Sequence, residues 1–143
     1  MRLARERAPL VSAHGIGGMA RWIAWLEAHP PGPLPARERR VVHGDAYARH
    51  LVLDPDGGLA GVIDWGDMHV GDPALDLAIA HLVLPAHAHD GFRAAYGPID
   101  DRTWNAARYR AIYHAILELD YGLREIDIGM RSSGSDALNL MDA

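Results

Sequence analysis

The sequence has 143 residues, a length that fits one domain with its own hydrophobic core. Hydrophobic residues make up 49% of it, the formal net charge is −5 and cysteine is absent, which excludes a disordered chain, a disulfide scaffold and thiol chemistry. All 14 basic residues are arginine, so no lysine can clamp a phosphate or form a Schiff base. The acidic balance argues against a nucleic-acid partner.

Targeting signals are the next feature to consider. The first twenty residues lack the apolar core of a signal peptide, and no apolar run approaches the roughly 20 residues that span a bilayer. We therefore expect no membrane association and a cytoplasmic location.

The N-terminal third is predicted to contain short elements. The glycine-rich segment 14–18 indicates a turn rather than a phosphate loop, because no apolar strand precedes it. A helix is predicted from Met19 to His29 and is ended by the prolines of Pro30–Pro35. A further helical turn is predicted at Ala36–Arg40, and Val41-Val42 then begins a short strand.

A β-hairpin is predicted near the middle of the chain. Two apolar runs, His50–Leu53 and Leu59–Ile63, flank the sequence Asp54-Pro55-Asp56-Gly57-Gly58. Asp, Pro and Gly between two apolar runs are typical of a tight hairpin turn.

The rest of the chain is predicted to be helical. Helices are predicted from Asp72-Pro73 to about Leu84, from His89 to Tyr96 and from Arg102 to Leu123. Asp72 is expected to be the N-cap of the first, with Pro73 at its first helical position, and Asp100 or Asp101 caps the third. The Ser- and Gly-rich tail from Arg131 is expected to be loose. Taken together, the predicted elements indicate a mostly helical α+β fold with one small hairpin.

Acidic segments lie at both ends of the hairpin. His43-Gly44-Asp45 precedes its first strand, and Ile63-Asp64-Trp65-Gly66-Asp67 follows its second. Because a tight hairpin brings its ends together, Asp45 and Asp64 should share one accessible site. Phosphoryl transfer uses such a pair, since one carboxylate accepts the proton of the attacking hydroxyl and the other holds the Mg²⁺ that bridges the phosphates.

The order and spacing of these segments resemble the aminoglycoside phosphotransferase family, which belongs with choline and macrolide kinases to the protein-kinase-like superfamily. Gly71–Ala78, Phe92–Gly97 and Thr103-Trp104 extend the likeness, which covers about Trp22 to Leu123. The resemblance implies a kinase-like C-terminal lobe and ATP- and magnesium-dependent phosphorylation of a hydroxyl group on an aminoglycoside- or macrolide-like small molecule. The acidic balance would suit a cationic substrate.

The resemblance assigns roles to single residues. Asp45 matches the catalytic base, and Asp64 matches the aspartate that binds magnesium beside the nucleotide. His43 and Asp76 match residues that brace the catalytic loop, while Asp72 is expected to give structural support. For His43 a core histidine is the alternative, and for Asp76 a carboxylate that complements the helix dipole.

The sequence departs from the family pattern in two places. The asparagine that binds the second magnesium ion is His50 here, so His50 takes that metal- and cofactor-binding position, although imidazole suits zinc, nickel or copper better. The family's N-terminal, ATP-gripping lobe and its lysine are also missing. We therefore expect residues 1–143 to form a single domain, the C-terminal lobe alone, with the other lobe absent or supplied elsewhere. This argues against tight ATP and Mg²⁺ binding by this chain alone and for an inactive isolated chain.

Two other functions remain open at this stage. A degenerate, non-catalytic module that binds a small molecule or a protein would fit His50 and the missing lobe. A metal-dependent hydrolase could use the histidines with Asp45 and Asp64, although Pro85 interrupts the His81, His87, His89 series that a helical zinc site would need.

Self-association is a further expectation. A lobe without its partner should expose an apolar patch, and large exposed patches tend to become interfaces. The candidates are the first helix around Trp22 and Trp25 and the hairpin face around Leu51 and Leu53. A two-fold homodimer would cover such a patch with its own copy.

Overall fold

The computed structural model describes residues 6, 9, 11, 18–33 and 38–142. The glycine-rich segment at 14–17 and the predicted helical turn at 36–37 lie outside these residues. The described elements are α1 (Met19–Ala28), β1 (Arg40–Val42), β2 (Leu51–Leu53), β3 (Leu59–Val62), β4 (His69–Gly71), α2 (Ala74–Val83), α3 (His89–Tyr96), α4 (Asp101–Arg124) and α5 (Ile128–Leu140). Short 3₁₀ turns lie at Ala48–His50, Trp65–Asp67 and Ala86–Ala88. The mostly helical α+β class is confirmed.

The strands form two antiparallel pairs rather than one hairpin. The predicted hairpin is present as β2 and β3, and Asp54 builds its turn by accepting hydrogen bonds from the Asp56 and Gly58 amides at 3.0 and 2.7 Å. The second pair joins β1 to β4, with Val41 opposite Val70. Strand β4 was not predicted, because a three-residue strand whose partner lies far away in sequence has no local pattern.

Helices α1, α2, α4 and α5 enclose the main core. One face of α4 supplies much of this core: Ile112, Ala115, Ile116 and Leu119 are fully buried, and Leu123 is partly buried against them. Asp100 caps this helix by accepting from the Thr103 amide at 2.6 Å, which lowers the pKa of the Asp100 carboxyl. We expected an exposed apolar patch on α1 around Trp22. That expectation is wrong for Trp22, because its side chain is only 4% exposed and belongs to this core.

The expected loose tail is wrong. Residues 128–140 form α5. Asp127 caps its N-terminus, and the Asp127 side chain accepts a hydrogen bond from the Met130 amide at 2.9 Å. Gly134 lets the helix backbone approach α4 so closely that a Cβ there would stand 2.6 Å from the Ala115 carbonyl oxygen. Tertiary packing through small residues therefore overrides the low helix propensity of this segment.

The start of α2 also differs slightly from the prediction. The helix begins at Ala74, one residue later than expected, but the Asp72 carboxylate still accepts from the Ala74 amide at 3.0 Å. Its second oxygen contacts Arg110 of α4 at 3.0 Å, so Asp72 links the two helices. In the part of the chain that the structure describes, no helix combines the length and apolarity needed to cross a bilayer.

Candidate active site

The loop at residues 43–50 connects β1 to the hairpin, and one carboxylate holds its start. Asp76, in the first turn of α2, accepts from the His43 amide at 2.7 Å and from the Gly44 amide at 3.0 Å. Two charge-assisted hydrogen bonds from consecutive amides fix the loop against the helix. Asp76 therefore positions the backbone that leads into Asp45.

Gly44 allows the loop to pass close to the segment that follows Asp64. Its φ is 90°, in the left-handed region that favours glycine, and a Cβ at this residue would stand 2.5 Å from the Asp67 carbonyl oxygen. Both the dihedral angle and the close approach require glycine at this position.

The buried His43 side chain forms hydrogen bonds with the backbone at both ends of the hairpin. The ring is buried, and its Nε2–H donates to the Ile63 carbonyl oxygen at 2.8 Å, while Nδ1 accepts from the Asp45 amide at 3.3 Å. These two partners fix the neutral tautomer with the proton on Nε2. His43 thus holds the backbone on either side of the site and points away from solvent.

His50 lies between the two predicted functional carboxylates. Its Nδ1–H donates to the Asp45 carbonyl oxygen at 2.7 Å and lies 3.7 Å from the Asp45 carboxylate. Its Nε2 lies 3.4 Å from a carboxylate oxygen of Asp64. One imidazole ring therefore separates Asp45 from Asp64, and the structure brings both carboxylates into one site.

Asp64 presents its side chain to solvent. Its backbone lies in the left-handed region, with φ 64° and ψ 58°, and its side chain is 67% exposed. A non-glycine residue in this region is uncommon and is often associated with function. Asp67, three residues further on, is exposed and lies in the 3₁₀ turn Trp65–Asp67.

Two contacts anchor the far end of the 43–50 loop. The Tyr47 ring packs between His50, at 4.3 Å between ring centroids, and His114 of α4, at 5.1 Å. Burial raises the pKa of Tyr47, and the nearby Asp45 carboxylate acts in the same direction, so the phenol stays protonated. Arg49 forms an ion pair at 2.7 Å with Asp127, the N-cap of α5.

A cavity of about 350 Å³ opens beside this loop, between α2 and α4. We call it the α2–α4 cavity. Asp45 lies at its edge, with Gly44 and Ala46. Helix α2 contributes Leu75, Ala78 and Leu82, and α4 contributes Tyr109, Arg110, Tyr113, His114 and Leu117. Its volume is at the lower end of the range for small-molecule sites.

The lining of this cavity was not predicted from the sequence. The motifs indicate Asp45, but they do not indicate which face of α4 lies opposite it. The spacing of Arg110, His114 and Leu117 places them on one helix face, and that signal does not distinguish a cavity wall from a buried core.

The donor set at Asp64 and His50 fits a divalent cation shared with a phosphate group. Nδ1 of His50 donates to the Asp45 carbonyl oxygen, so Nε2 is the ring nitrogen that faces the Asp64 carboxylate. In the described ranges, no three His, Asp or Glu side chains converge to hold a metal ion by themselves. Magnesium bound through one or two protein ligands and substrate phosphates needs no such cluster.

Comparison with known proteins agrees with this geometry. The family model described as the phosphotransferase enzyme family matches residues 2–112. The chain belongs to this phosphotransferase family. The aminoglycoside phosphotransferase resemblance of the sequence is thus confirmed.

Two curated relatives of this phosphotransferase chain match part of it. Viomycin phosphotransferase of Streptomyces vinaceus is 37% identical over 76 residues, which are 51% of this chain and 25% of that protein. The uncharacterised protein YcbJ of Bacillus subtilis (strain 168) is 27% identical over 86 residues, 59% of this chain and 26% of that protein. The chain thus spans about a quarter of the length of these relatives.

A solved structure shares the fold. Macrolide 2'-phosphotransferase type I superposes with a TM-score of 0.51 at 23% identity. The match covers 96% of this chain and 47% of that one. This likeness confirms the fold predicted for the chain.

Proposed function

We propose that the chain is the acceptor- and magnesium-binding part of a phosphotransferase, which transfers a phosphoryl group from ATP to a hydroxyl group of an aminoglycoside- or macrolide-like small molecule. The position of Asp45 carries this proposal. Asp45 borders the α2–α4 cavity on one side and is separated from Asp64 by the His50 ring on the other. An acceptor in the cavity and a phosphate beside Asp64 would meet at Asp45.

Asp45 would act as the general base. Its side chain is 43% exposed, so the carboxylate can accept a hydrogen bond from an acceptor hydroxyl. The hydroxyl proton passes to Asp45 as the hydroxyl oxygen bonds to the γ-phosphorus and the bond to the ADP oxygen breaks. Asp76 and His43, which hold the loop backbone, would keep the carboxylate in place.

Asp64 and the Nε2 atom of His50 would hold the magnesium ion. Bound there, Mg²⁺ would neutralise charge on the phosphate oxygens. The chain's own contribution is to fix these two groups: the Asp45 carbonyl orients the His50 ring, and the hairpin fixes Asp64.

Phosphate transfer from labelled ATP tests the proposal in a fusion that places the ATP-binding lobe of a family member ahead of residue 1. The fusion should phosphorylate an acceptor, and Asp45→Asn should lower the rate by about 10² to 10⁴. Asp67→Asn, in the exposed turn nearby, is the matched control and should retain the rate. Equal rates in the Asp45→Asn and unmodified fusions would refute the proposed base.

The chain alone is expected to transfer no phosphate at a measurable rate. The developing charge in phosphoryl transfer is neutralised by groups from both lobes, and each contributes several kcal/mol. The chain has no lysine to supply one of them. Robust transfer by the 143-residue chain would contradict this expectation.

A non-catalytic binding module is the second candidate. It is favoured by His50 at the asparagine position and by the absence of lysine. It predicts that the fusion binds an acceptor in the α2–α4 cavity and transfers no phosphate. The same assay therefore separates the two functions.

A further inference from the structure

The α2–α4 cavity has walls that are mainly apolar. Leu75 and Leu82 face it from α2, and Leu117 faces it from α4. Tyr109 and Tyr113 add aromatic surface with hydroxyl groups. Burial raises the pKa of Tyr109, so its phenol is neutral and can donate a hydrogen bond. Such walls bind apolar ring surface and orient it through a few polar contacts.

The charges around the cavity do not suit a ligand with several amines. Asp45 is the one carboxylate that lines the cavity in the described part of the chain. Arg110 brings a positive charge to the wall, and it contacts Asp72 at 3.0 Å. An ammonium group that enters without a carboxylate partner loses its hydration and gains no ion pair.

Two further carboxylates contact lining residues of the cavity: Asp72 pairs with Arg110, and Glu118 lies beside His114. Glu118 is 2% exposed and accepts hydrogen bonds from Ser133 of α5 at 3.1 and 3.2 Å. His114 lines the cavity, and its Nε2 lies 3.5 Å from the Glu118 carboxylate. Because Glu118 is buried and hydrogen-bonded to Ser133, it is not available to pair with an amine in the cavity.

We propose that the acceptor is a hydroxyl compound with a largely apolar ring framework and at most one amine. This inference rests on the proposed function. The apolar part lies on Leu82, Leu117 and the tyrosine rings, and the reacting hydroxyl points to Asp45. The local chemistry of the cavity thus selects against the polycation that the net charge of −5 would suggest. Net charge describes the whole surface, whereas specificity depends on the groups that line the site.

Isothermal titration of the purified chain with two probes tests the proposal. One is a macrolide, which has an apolar lactone ring and one amine, and the other is an aminoglycoside, which has several amines on a sugar framework. The macrolide should bind at least about tenfold more tightly at physiological ionic strength. Tighter binding of the aminoglycoside, or binding of neither probe, overturns the proposal.

Substitutions at Leu117 sharpen the test. Leu117→Asp adds a carboxylate to the wall, so it should weaken macrolide binding and strengthen aminoglycoside binding. Leu117→Asn is the matched polar control and should only weaken macrolide binding. If Leu117→Asp leaves both affinities unchanged, the ligand does not occupy this cavity and the proposal fails. If a variant does not fold, the affinities of the unmodified chain for the macrolide and the aminoglycoside still test the proposal.

Failure of this inference is distinguishable from failure of the proposed function. A fusion that phosphorylates the aminoglycoside through Asp45 would keep the function and overturn the substrate class. A chain that binds the macrolide in the cavity while the fusion transfers no phosphate would keep the cavity chemistry and overturn the function.

Discussion

The Nε2 atom of His50 lies 3.4 Å from a carboxylate oxygen of Asp64. In the proposed function this nitrogen and oxygen would form a ligand pair for a metal ion, because Nδ1 of His50 already donates to the Asp45 carbonyl oxygen at 2.7 Å. The resemblance of the sequence to the aminoglycoside phosphotransferase family implies an asparagine oxygen where this chain has the imidazole nitrogen. Nitrogen ligands favour later transition metals over magnesium.

The first prediction concerns metal preference. In the unmodified chain we expect Ni²⁺ to bind more tightly than Mg²⁺, and His50→Asn should shift the ratio of the two affinities toward Mg²⁺ by at least about tenfold. Competition titrations against Mn²⁺ give both affinities. His87→Asn, which removes an exposed histidine outside the site, is the control. An unchanged ratio in His50→Asn would mean that the ring is not a ligand.

The second prediction concerns Gly44. Gly44→Ala should lower the free energy of unfolding by more than Gly57→Ala, although both glycines have positive φ, at 90° and 85°. The strain of a left-handed alanine, about 1 kcal/mol, is common to both variants. Only at Gly44 does the added Cβ meet another group, the Asp67 carbonyl at 2.5 Å. Urea denaturation measures both losses, and equal losses would contradict the close approach of the loop.

The third prediction concerns acid stability and follows from His81. Burial lowers the pKa of His81 from 6.5 to about 4, and His89 and Arg108 act in the same direction. The unfolded chain therefore takes up this proton first, so stability is complete above pH 6.5 and falls as the pH decreases toward 4. The full contribution is about 3 kcal/mol.

Urea denaturation between pH 7 and pH 4 measures this slope. His81→Gln should flatten it, whereas His87→Gln, at an exposed position, should leave it unchanged. A His81→Gln variant with the original slope would show that another group causes the acid sensitivity.

The fourth prediction concerns self-association. Trp22 is buried, so the remaining candidate surface is the outer face of the hairpin, where Leu53 and Leu59 pair across the strands and are 61% and 62% exposed. We expect a two-fold dimer at micromolar concentration, since exposed apolar surface of this kind tends to be covered.

Light scattering at a series of concentrations measures the dimer. Leu53→Thr should weaken it, and Ile128→Thr, at an exposed position at the start of α5, should not. A monomer at all concentrations would mean that the hairpin face is not a dimer interface.

The sequence predicted the parts of this fold that have local signals. The Asp54–Gly58 turn fixes the hairpin, and Asp100 caps α4. The ends of the hairpin lie close together, so that Asp45 and Asp64 both approach the His50 ring. Strand β4 depends on β1, far away in the chain, and α5 depends on its packing against α4, so composition alone did not predict either element. The α2–α4 cavity likewise arises only when two helices pack, and no motif marks its wall.

Mn²⁺-induced broadening of backbone amide signals in NMR spectra of the purified chain tests the central claim, that Asp45 and Asp64 belong to one metal-assisted phosphoryl-transfer centre. Low concentrations of Mn²⁺ should broaden the signals of Asp64, His50 and Asp45 together. Asp64→Asn should remove this broadening, and Asp67→Asn should retain it. Broadening that is absent from these residues, or that persists in Asp64→Asn, would contradict the assignment of this site.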